Sequence, residues 1–302
     1  NPPESIFLNL EDLDSLMNIG VDIGGTKVRV GTVENGEVLK KNEIKHDLNI
    51  SSEQLIENII NLVSALGMPE GIGIGIPGVL SKDRSTWIKV PNMIPQMRNI
   101  RLAEIVGKRL GIKAKMENDA NAAALGELQY GLGKEYDNIV MITLGAGIGG
   151  GIIIDRKLYV GKENAGEIGH MIIVDNGLQC PCGNHGCWEE YVSVKAVKRL
   201  SVKYFGKEME SPDILKLAEN GNEKAIELFS KMGRYLGIGL RNMANIFDPD
   251  VIVISGGLSN ISRFVLEEAK NVMKDSWLST RIEVTKVRDI EILGPESLLH
   301  YF

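Results

Sequence analysis

The sequence has few cysteines and no long apolar run. Three cysteines occur among 302 residues, and an odd number excludes a closed disulfide framework. No apolar run approaches the roughly 20 residues that a membrane-spanning helix needs, and no basic-then-apolar leader is present. These absences argue against secreted and membrane proteins, and we expect a cytoplasmic protein with reduced thiols.

The charge balance also limits the function. With 34 basic and 40 acidic residues, the chain has a net charge of −6, which disfavours a nucleic-acid-binding surface. Hydrophobic residues make up 43% of the chain and charged residues 25%, as in ordinary globular proteins. The length fits one large domain or two ordinary ones, and it suffices for a hydrophobic core.

All three cysteines lie in one short segment, with the spacing C-x-C-x4-C at Cys180, Cys182 and Cys187. Tetrahedral zinc accepts thiolate and imidazole ligands, so the pattern predicts zinc with a histidine as the fourth ligand. Two histidines are near, His170 upstream and His185 inside the loop. A metal-free group of reactive thiols is the alternative, but three exposed thiols so close together would be prone to oxidation.

Two carboxylates flank the cysteine segment: Glu167 three residues before His170, and Glu189 two residues after Cys187. Each could be an ordinary surface glutamate or could hold a polyhydroxyl ligand. The stretch E-I-G-H followed by C-P-C-G-N-H-G-C-W-E resembles the ROK family of sugar kinases and sugar-responsive repressors. The resemblance implies a structural zinc ion bound by His170, Cys180, Cys182 and Cys187. It also implies that a sugar is faced by Glu167, His170 and Glu189, with His185 as a bystander.

A glycine turn between two strands lies near the beginning of the chain. Residues 18–39 are typical of three short strands, and Asp22 ends the first of them, just before G-G-T-K. Free amides in such a turn can approach phosphate oxygens, although a plain hairpin is the alternative. D-I-G-G-T-K resembles the first phosphate motif of ROK and related actin-like kinases. The resemblance implies contacts with ATP phosphates and Mg²⁺ by Asp22, Gly24, Gly25, Thr26 and Lys27.

The same pattern recurs about 121 residues later, in residues 139–159, where Thr143 stands opposite Asp22. This internal duplication predicts two phosphate-binding hairpins that face each other across one cleft. No G-x-x-x-x-G-K-[ST] motif occurs, which excludes a P-loop kinase. Family members usually carry threonine where this chain has Ala146. The resemblance implies further nucleotide contacts by Gly145, Ala146, Gly147, Gly149, Gly150, Gly256 and Gly257.

The segment E-N-D-A-N places Asp119 where a predicted strand meets a strongly helical stretch, residues 120–130. A helix N-cap is the alternative role for this aspartate. The segment resembles the ROK catalytic segment, which implies that Asp119 is the general base and that Asn118 binds the sugar. The resemblance also implies that the sugar side of the cleft is lined by Gly78 and Asn92.

The resemblance covers residues 17–297. It implies a two-domain actin-like (ribonuclease H-like) α/β fold with an interdomain cleft, and ATP-dependent phosphorylation of a hexose, glucose or a related sugar, at O6. The cofactors implied are ATP, Mg²⁺ and structural Zn²⁺. We predict an extension over residues 1–16, a first domain over 17–118 and a second over 119–302. A dimer is common in the family, so a homodimer is one candidate assembly.

A sugar-sensing repressor domain whose DNA-binding module is missing is the alternative function. Residues 1–16 carry four acids and no base, and they are too short and too acidic for a winged helix. The end of the chain, L-G-P-E-S-L-L-H-Y-F, departs from the family pattern. Residues 282–293 are expected to contain two strands. The departure at the end of the chain predicts the loss or truncation of the final helix, which in the family packs back onto the first domain.

Overall fold

The fold is described from a computed structural model, which covers residues 17–47, 49–90, 94–274 and 279–301. The extension predicted over residues 1–16 lies outside these residues, as does the candidate sugar ligand Asn92. Among the helices of the described residues, none combines the length and the apolar composition needed to cross a membrane.

The described residues form strands and helices in the order that the sequence predicts for most of the chain. The strands are β1 (Asn18–Ile23), β2 (Lys27–Glu34), β3 (Glu37–Lys45), β4 (Gly71–Ile76), β5 (Val79–Leu80), β6 (Trp87–Lys89), β7 (Lys113–Asn118), β8 (Ile139–Leu144), β9 (Ile148–Ile154), β10 (Lys157–Leu158), β11 (Val251–Ser255) and β12 (Arg281–Val284). The helices are α1 (Ser52–Ser64), α2 (Leu102–Leu110), α3 (Asp119–Tyr130), α4 (Val194–Phe205), α5 (Ser211–Glu219), α6 (Glu223–Phe247), α7 (Ser262–Met273) and α8 (Ile290–Tyr301).

Two five-stranded sheets share one topology, which confirms the predicted duplication. Their strand orders are β3-β2-β1-β4-β7 and β10-β9-β8-β11-β12, and in each sheet the first three strands are antiparallel and the others parallel. Asp22 and Thr143 occupy the same position of equivalent strands, β1 and β8. The equivalent hairpin turns at Asn35 and Asp155 both begin in the left-handed conformation, with φ of 50° and 49°.

Each sheet has its own hydrophobic core. The first core packs β1, β2 and β4 against one face of α1 and α2, through residues such as Leu55, Ile59 and Val106 that are fully buried. The second core surrounds the long helix α6, whose Phe229 and Leu236 are fully buried beneath β8 and β11. Ser51 caps α1 by accepting a hydrogen bond from the Gln54 amide at 3.1 Å, which confirms the predicted start of that helix.

The helix that follows each sheet packs on the other sheet. α3 follows β7 of the first sheet but lies against β8 and β9 of the second. α8 follows β12 of the second sheet but lies against β1 and β4 of the first. The close approach of α8 requires glycine in those strands. A Cβ on Gly20 of β1 would lie 2.0 Å from the Ile292 carbonyl oxygen, and a Cβ on Gly73 of β4 would lie 1.7 Å from the Pro295 carbonyl oxygen. The two halves are therefore joined by exchanged helices.

The two exchanged helices also contact each other through their backbones. A Cβ on Gly126 of α3 would lie 2.8 Å from the Cα of Gly294 in α8, and a Cβ on Gly294 would lie 2.7 Å from the Ala122 carbonyl oxygen. Real Cβ contacts essentially never come this close, so both positions require glycine. This contact fixes the distance between the first residue of α3 and the first sheet.

Two expectations for the end of the chain, a second strand within residues 282–293 and a lost final helix, are wrong. Among the described residues, only β12 is a strand after α7, and the final helix is present as α8. The sequence misled us because Gly294 and Pro295 are poor helix residues in isolation. Here tertiary contacts override that preference. The absence of a side chain at Gly294 lets α3 pack directly against the backbone of α8. The Pro295 ring packs on Gly75 of β4, where an added Cβ would lie 2.9 Å from the Pro295 Cγ.

The contact between α3 and α8 predicts the effect of Gly126→Ala. In an exposed helix this change stabilises by about 1 kcal/mol through helix propensity. At Gly126 the new methyl group meets backbone that cannot move alone, so we expect destabilisation by about 1–3 kcal/mol in urea unfolding. Gly257→Ala is the matched control, since no atom lies within 4 Å of the added Cβ. A more stable Gly126→Ala variant would contradict this account of the contact.

Candidate active site

Several of the predicted site residues meet where the parallel strands of the first sheet end. Asp22 is at the end of β1, Gly78 follows β4, and Asp119 follows β7. The Cα of Asp119 lies 3.7 Å from the position of a Cβ on Gly75, the residue paired with Asp22 in the sheet. Ligands of open α/β sheets bind outside the carboxyl ends of the strands, so this edge is the candidate active site.

Asn118, rather than Asp119, caps helix α3. The Asn118 Oδ1 accepts hydrogen bonds from the amides of Ala120 and Asn121 at 3.0 and 3.1 Å. The Asn118 Nδ2 donates to the Gly78 carbonyl oxygen at 3.0 Å. Asp119 is the first residue of the helix, and its Oδ1 accepts from the Ala120 amide at 2.8 Å. Its carboxylate also accepts from its own backbone amide, and the side chain is exposed and open to a ligand.

The surroundings of Asp119 favour a proton acceptor that works near neutral pH. The residue is open to solvent at the edge of the sheet, yet the protein around it is dense enough to weaken its hydration. This loss of hydration raises the pKa of Asp119 to about 7, and the negative charges of Asp22 and Glu167 add to the rise. The hydrogen bond from the Ala120 amide opposes the shift.

Asp22 has a separate electrostatic environment. Burial raises its pKa to about 6, and the neighbouring Arg29 guanidinium opposes that rise. Arg29 faces Asp22 across the β1–β2 pair and donates from Nη1 to Oδ2 at 2.7 Å. Sequence reasoning missed Arg29, although the two-residue alternation of β2 places it opposite Asp22 once the hairpin register is known.

The first glycine turn is closed by one short backbone hydrogen bond. The Gly24 amide donates to the Lys27 carbonyl oxygen at 2.8 Å, and Thr26 is exposed. The Nε2 of His46 lies 3.1 Å from the Gly24 carbonyl oxygen, so the end of β3 supports the turn from behind. Lys27 pairs with Glu43 at 3.3 Å. The face of the turn on which Thr26 lies is therefore open to a ligand.

The glycines in and after the second turn have two different roles, because some have open space around them and others are tightly packed. The Gly145 amide donates to the Gly147 carbonyl oxygen at 3.0 Å, and no atom lies within 4 Å of an added Cβ at Gly145. Gly149 and Gly150 lie within β9. A Cβ on Gly149 would lie 2.5 Å from the Thr143 Oγ1, and a Cβ on Gly150 would lie 2.6 Å from the Ile168 side chain. These two glycines therefore permit close packing, a role that the sequence pattern did not distinguish from a turn.

The double-glycine turn after β11 shows the same division. Gly256 has φ of 95°, and a Cβ there would lie 2.3 Å from the Leu144 carbonyl oxygen. Gly257 has open space around it. Ala146 is exposed at the tip of the second turn. Open space for a nucleotide is thus found at Gly145 and Gly257.

Four predicted metal ligands come together. One ligand atom from each lies within 4.8 Å of all the others, in the group His170, Cys180, Cys182 and Cys187. The Sγ atoms of Cys182 and Cys187 are 3.6 Å apart, and the Cys180 Sγ is 3.7 Å from the His170 Nδ1. A tetrahedron with Zn–S bonds of about 2.3 Å has S···S edges of about 3.8 Å. The donor set and its spacing therefore fit zinc.

The thiols lie in environments that differ in their effect on pKa. Burial raises the pKa of Cys180 and Cys187, whereas the Asn184 amide lowers that of Cys182. Buried thiols without a cation would stay protonated, and a bound divalent cation would deprotonate them. The Nδ1 of His185 lies 3.3 Å from the Gly177 carbonyl oxygen, and this histidine is outside the four-residue group.

The two flanking glutamates lie beside the metal group. The Glu189 Oε1 is 3.3 Å from the Cys180 Sγ and 3.6 Å from the His170 Nδ1, while the Glu167 Oε2 is 3.9 Å from the His170 Nε2. Glu189 also reaches the second glycine turn, because a Cβ on Gly147 would lie 2.4 Å from its Oε2. The metal loop and the second glycine turn are therefore in contact through Glu189, and Glu167 is close enough to Asp119 for its charge to raise the pKa of Asp119.

Comparisons with known proteins agree with this geometry. The ROK family matches residues 18–293 of the chain. The glucokinase of Streptomyces coelicolor is 35% identical over 284 residues, which cover 87% of this chain and 88% of that protein. The xylose repressor of Bacillus subtilis is 32% identical over 292 residues, which cover 93% of this chain and 73% of the repressor.

A solved structure is also similar. A ROK family glucokinase from Streptomyces griseus, in complex with glucose and AMPPNP, matches with a TM-score of 0.81 and 32% identity, covering 93% of this chain and 98% of that chain. The predicted fold class, a two-domain actin-like α/β fold with an interdomain cleft, is confirmed. The predicted domain boundaries stay a prediction.

The metal group predicts about one zinc ion per chain by elemental analysis of freshly purified, reduced protein. Cys182→Ser removes one ligand, and we expect loss of zinc and a melting temperature lower by at least about 5 °C, because metal binding is coupled to folding. His185→Asn is the matched control and should retain the metal. Zinc-free wild-type protein, or zinc lost from His185→Asn and kept in His170→Asn, would contradict the ligand set.

Proposed function

The chain belongs to the ROK family and is an ATP-dependent sugar kinase, and we propose that it phosphorylates a hexose such as glucose at the O6 hydroxyl. The observation that carries the proposal is the position of the Asp119 carboxylate, which is exposed at the edge of the first sheet where β1, β4 and β7 end. Weakened hydration at this place raises its pKa to about 7. A general base works best when its pKa is close to the operating pH. The bound glucose and AMPPNP of the similar glucokinase support the choice of substrates.

Asp119 acts as the general base in this proposal. The Asp119 Oδ2 takes the proton of the O6 hydroxyl as the O6 oxygen attacks the γ-phosphorus, and the bond from phosphorus to the ADP oxygen breaks. The bond from the Ala120 amide holds the other oxygen, which fixes the plane of the carboxyl group. Asn118 caps the helix and thereby sets the position of its first residue.

The nucleotide lies between the two duplicated hairpins. Backbone amides of the turns at residues 24–27 and 145–147 bind the phosphates, and the open space at Gly257 admits the adenosine. We place the domain boundary after Asn118, where β7 ends, so that the two turns belong to different domains. Asp22 would hold Mg²⁺, which would supply positive charge to neutralise the phosphate oxygens. Closure of the two domains around ATP would exclude water from the transfer.

The sugar is held from the side of the metal loop. Glu167 and Glu189 are carboxylates that can accept hydrogen bonds from sugar hydroxyls, and His170 lies between them. His170, Cys180, Cys182 and Cys187 would hold zinc, and a four-residue ligand set is typical of a structural site. In this proposal the four residues hold the loop that carries both glutamates. Gly78 and Asn92 complete the sugar side, as the family resemblance implies.

A sugar-sensing role is the second candidate, and the similarity to the xylose repressor favours it. A sensor binds its sugar without turnover, so steady-state phosphorylation of a panel of hexoses and pentoses with ATP separates the two roles. We expect turnover with at least one hexose. Tight binding of a sugar without product formation from ATP would instead select the sensor.

Replacement of Asp119 tests the general base. Asp119→Asn keeps the size of the side chain but cannot take a proton, so kcat should fall at least about 10²-fold while the affinity for the sugar changes far less. Asp213→Asn is the matched control, because Asp213 also lies in the first turn of a helix, α5, away from the site. Turnover like that of the wild type in Asp119→Asn would remove Asp119 from the mechanism.

The raised pKa of Asp119 predicts the pH dependence of the reaction. The base is active as the carboxylate, so kcat/KM should be low at pH 5.5, rise through a midpoint near pH 7 and level off above it. A rise is expected rather than a fall because deprotonation creates the active form. The residual activity of Asp119→Asn should lack this step. A profile that is flat between pH 5.5 and 8 would show that another group limits the reaction.

A further inference from the structure

We propose that Arg84 is a positioning residue of the kinase, which holds the segment carrying Asp119 by pairing with the buried carboxylate of Glu117. The inference rests on the proposed role of Asp119 as the general base. Arg84 belongs to the loop between β5 and β6, and Glu117 is the next-to-last residue of β7. The pair therefore joins two parts of the chain that the sequence keeps 33 residues apart.

The loop between β5 and β6 presents Arg84 in an unusual conformation. Arg84 has φ of 59°, and the Arg84 amide donates to the Ser81 carbonyl oxygen at 2.8 Å. The Asp83 carboxylate accepts from the Ser81 hydroxyl at 2.6 Å and from the Ser85 hydroxyl at 2.9 Å. Left-handed backbone is costly for a long side chain and persists only where the surroundings enforce it. These hydrogen bonds enforce it here and direct the arginine inward.

Glu117 is the inner partner of the pair. Its side chain is 0% exposed and that of Arg84 is 15% exposed, and the Arg84 Nε lies 3.1 Å from the Glu117 Oε2. The Glu117 Oε1 accepts hydrogen bonds from the Asn118 amide at 2.9 Å and from the Asn121 Nδ2 at 3.0 Å. The carboxylate thus touches the residues on both sides of Asp119, and its orientation fixes the start of α3.

A second bond ties the same two segments together. The Asn118 Nδ2 donates to the Gly78 carbonyl oxygen at 3.0 Å, immediately before β5. Asp119 therefore follows a residue that is bound to one end of the β5–β6 hairpin, and Glu117 is bound to its tip. With both ties present, the backbone just before Asp119 is held relative to the hairpin.

Stability alone does not account for this pair. Apart from the ion pair between the Arg84 Nε and the Glu117 Oε2, the buried atoms Arg84 Nη2 and Glu117 Oε2 have no hydrogen-bond partner among the described residues. A buried ion pair whose polar atoms are incompletely satisfied is often no more stabilising than apolar residues of similar size. The pair does, however, restrict geometry, and displacement of a catalytic group by about 1 Å can lower the rate about 10²-fold. We therefore assign its benefit to the position of Asp119.

The first experiment measures kcat and both KM values for Arg84→Met. We expect kcat to fall about 10- to 100-fold, with the KM values for sugar and ATP changed less than about threefold, because binding groups are untouched. Arg84→Lys, which keeps the charge, should recover part of the loss. Arg109→Met is the matched control, since Arg109 pairs with two exposed glutamates on α1, Glu53 and Glu57, and its loss should leave kcat unchanged.

The second experiment separates positioning from stability. The double variant Arg84→Met with Glu117→Gln leaves no unpaired buried charge and should unfold at a urea concentration no lower than the wild type. Its kcat should still be at least about tenfold below that of the wild type, since the tie is absent. Recovery of kcat together with stability would show a purely structural pair and would overturn the proposal. This variant also provides the measurement if Arg84→Met alone does not fold.

The third experiment shows whether Arg84 acts through Asp119. In an Asp119→Asn background, Arg84→Met should lower the remaining kcat less than about twofold, because the group it positions is already gone. An equal loss of kcat in both backgrounds would overturn the proposal. If Asp119→Asn itself were fully active, the base assignment would fail, and a loss in Arg84→Met would then be ascribed to another group. The two failures are therefore distinguishable.

Discussion

The architecture depends on the backbone contact between α3 and α8. Each helix leaves the sheet that precedes it and covers the other sheet, and the two meet at Gly126 and Gly294 without intervening side chains. Because Asp119 is the first residue of α3, its distance from β1 and β4 follows from this contact. The glycines of β1 and β4 have the same origin, since α8 lies against them through its carbonyl oxygens. The carboxylate that we propose as the general base is thus held by packing between backbones, which allows little adjustment.

The site combines three kinds of support around a small number of reactive groups. Glycine turns provide open space, a cysteine and histidine group fixes the loop that carries Glu167 and Glu189, and buried charges anchor the start of α3. Glu189 links the first two, because it contacts both the metal group and Gly147. The raised pKa of Asp119 follows from this crowding of protein and negative charge around it.

Much of this arrangement could be predicted from the sequence, where the signal was local. The cysteine spacing and His170 predicted the metal group, and the repeated strand–turn–strand pattern predicted two sheets of equal topology. Contacts between residues that are far apart in the chain could not be predicted, because they leave no pattern in the local sequence. Arg84 and Glu117 look like ordinary polar residues in sequence, and Gly149 resembles the turn glycine Gly145 although it serves packing. The helix α8 was missed for the same reason, because Gly294 and Pro295 are explained only by their partners in α3 and β4.

The exchange of α3 and α8 also determines the order in which the chain can fold during synthesis. Domains usually fold as units as they leave the ribosome, the earlier one first. Here the first sheet is complete by residue 118, but the face formed by Gly20 and Gly73 stays uncovered until residues 290–301 have been made. The first half must therefore wait for nearly the whole chain, with apolar strands exposed in the meantime. A nascent chain that stops before α8 therefore keeps this face of the first sheet exposed to solvent.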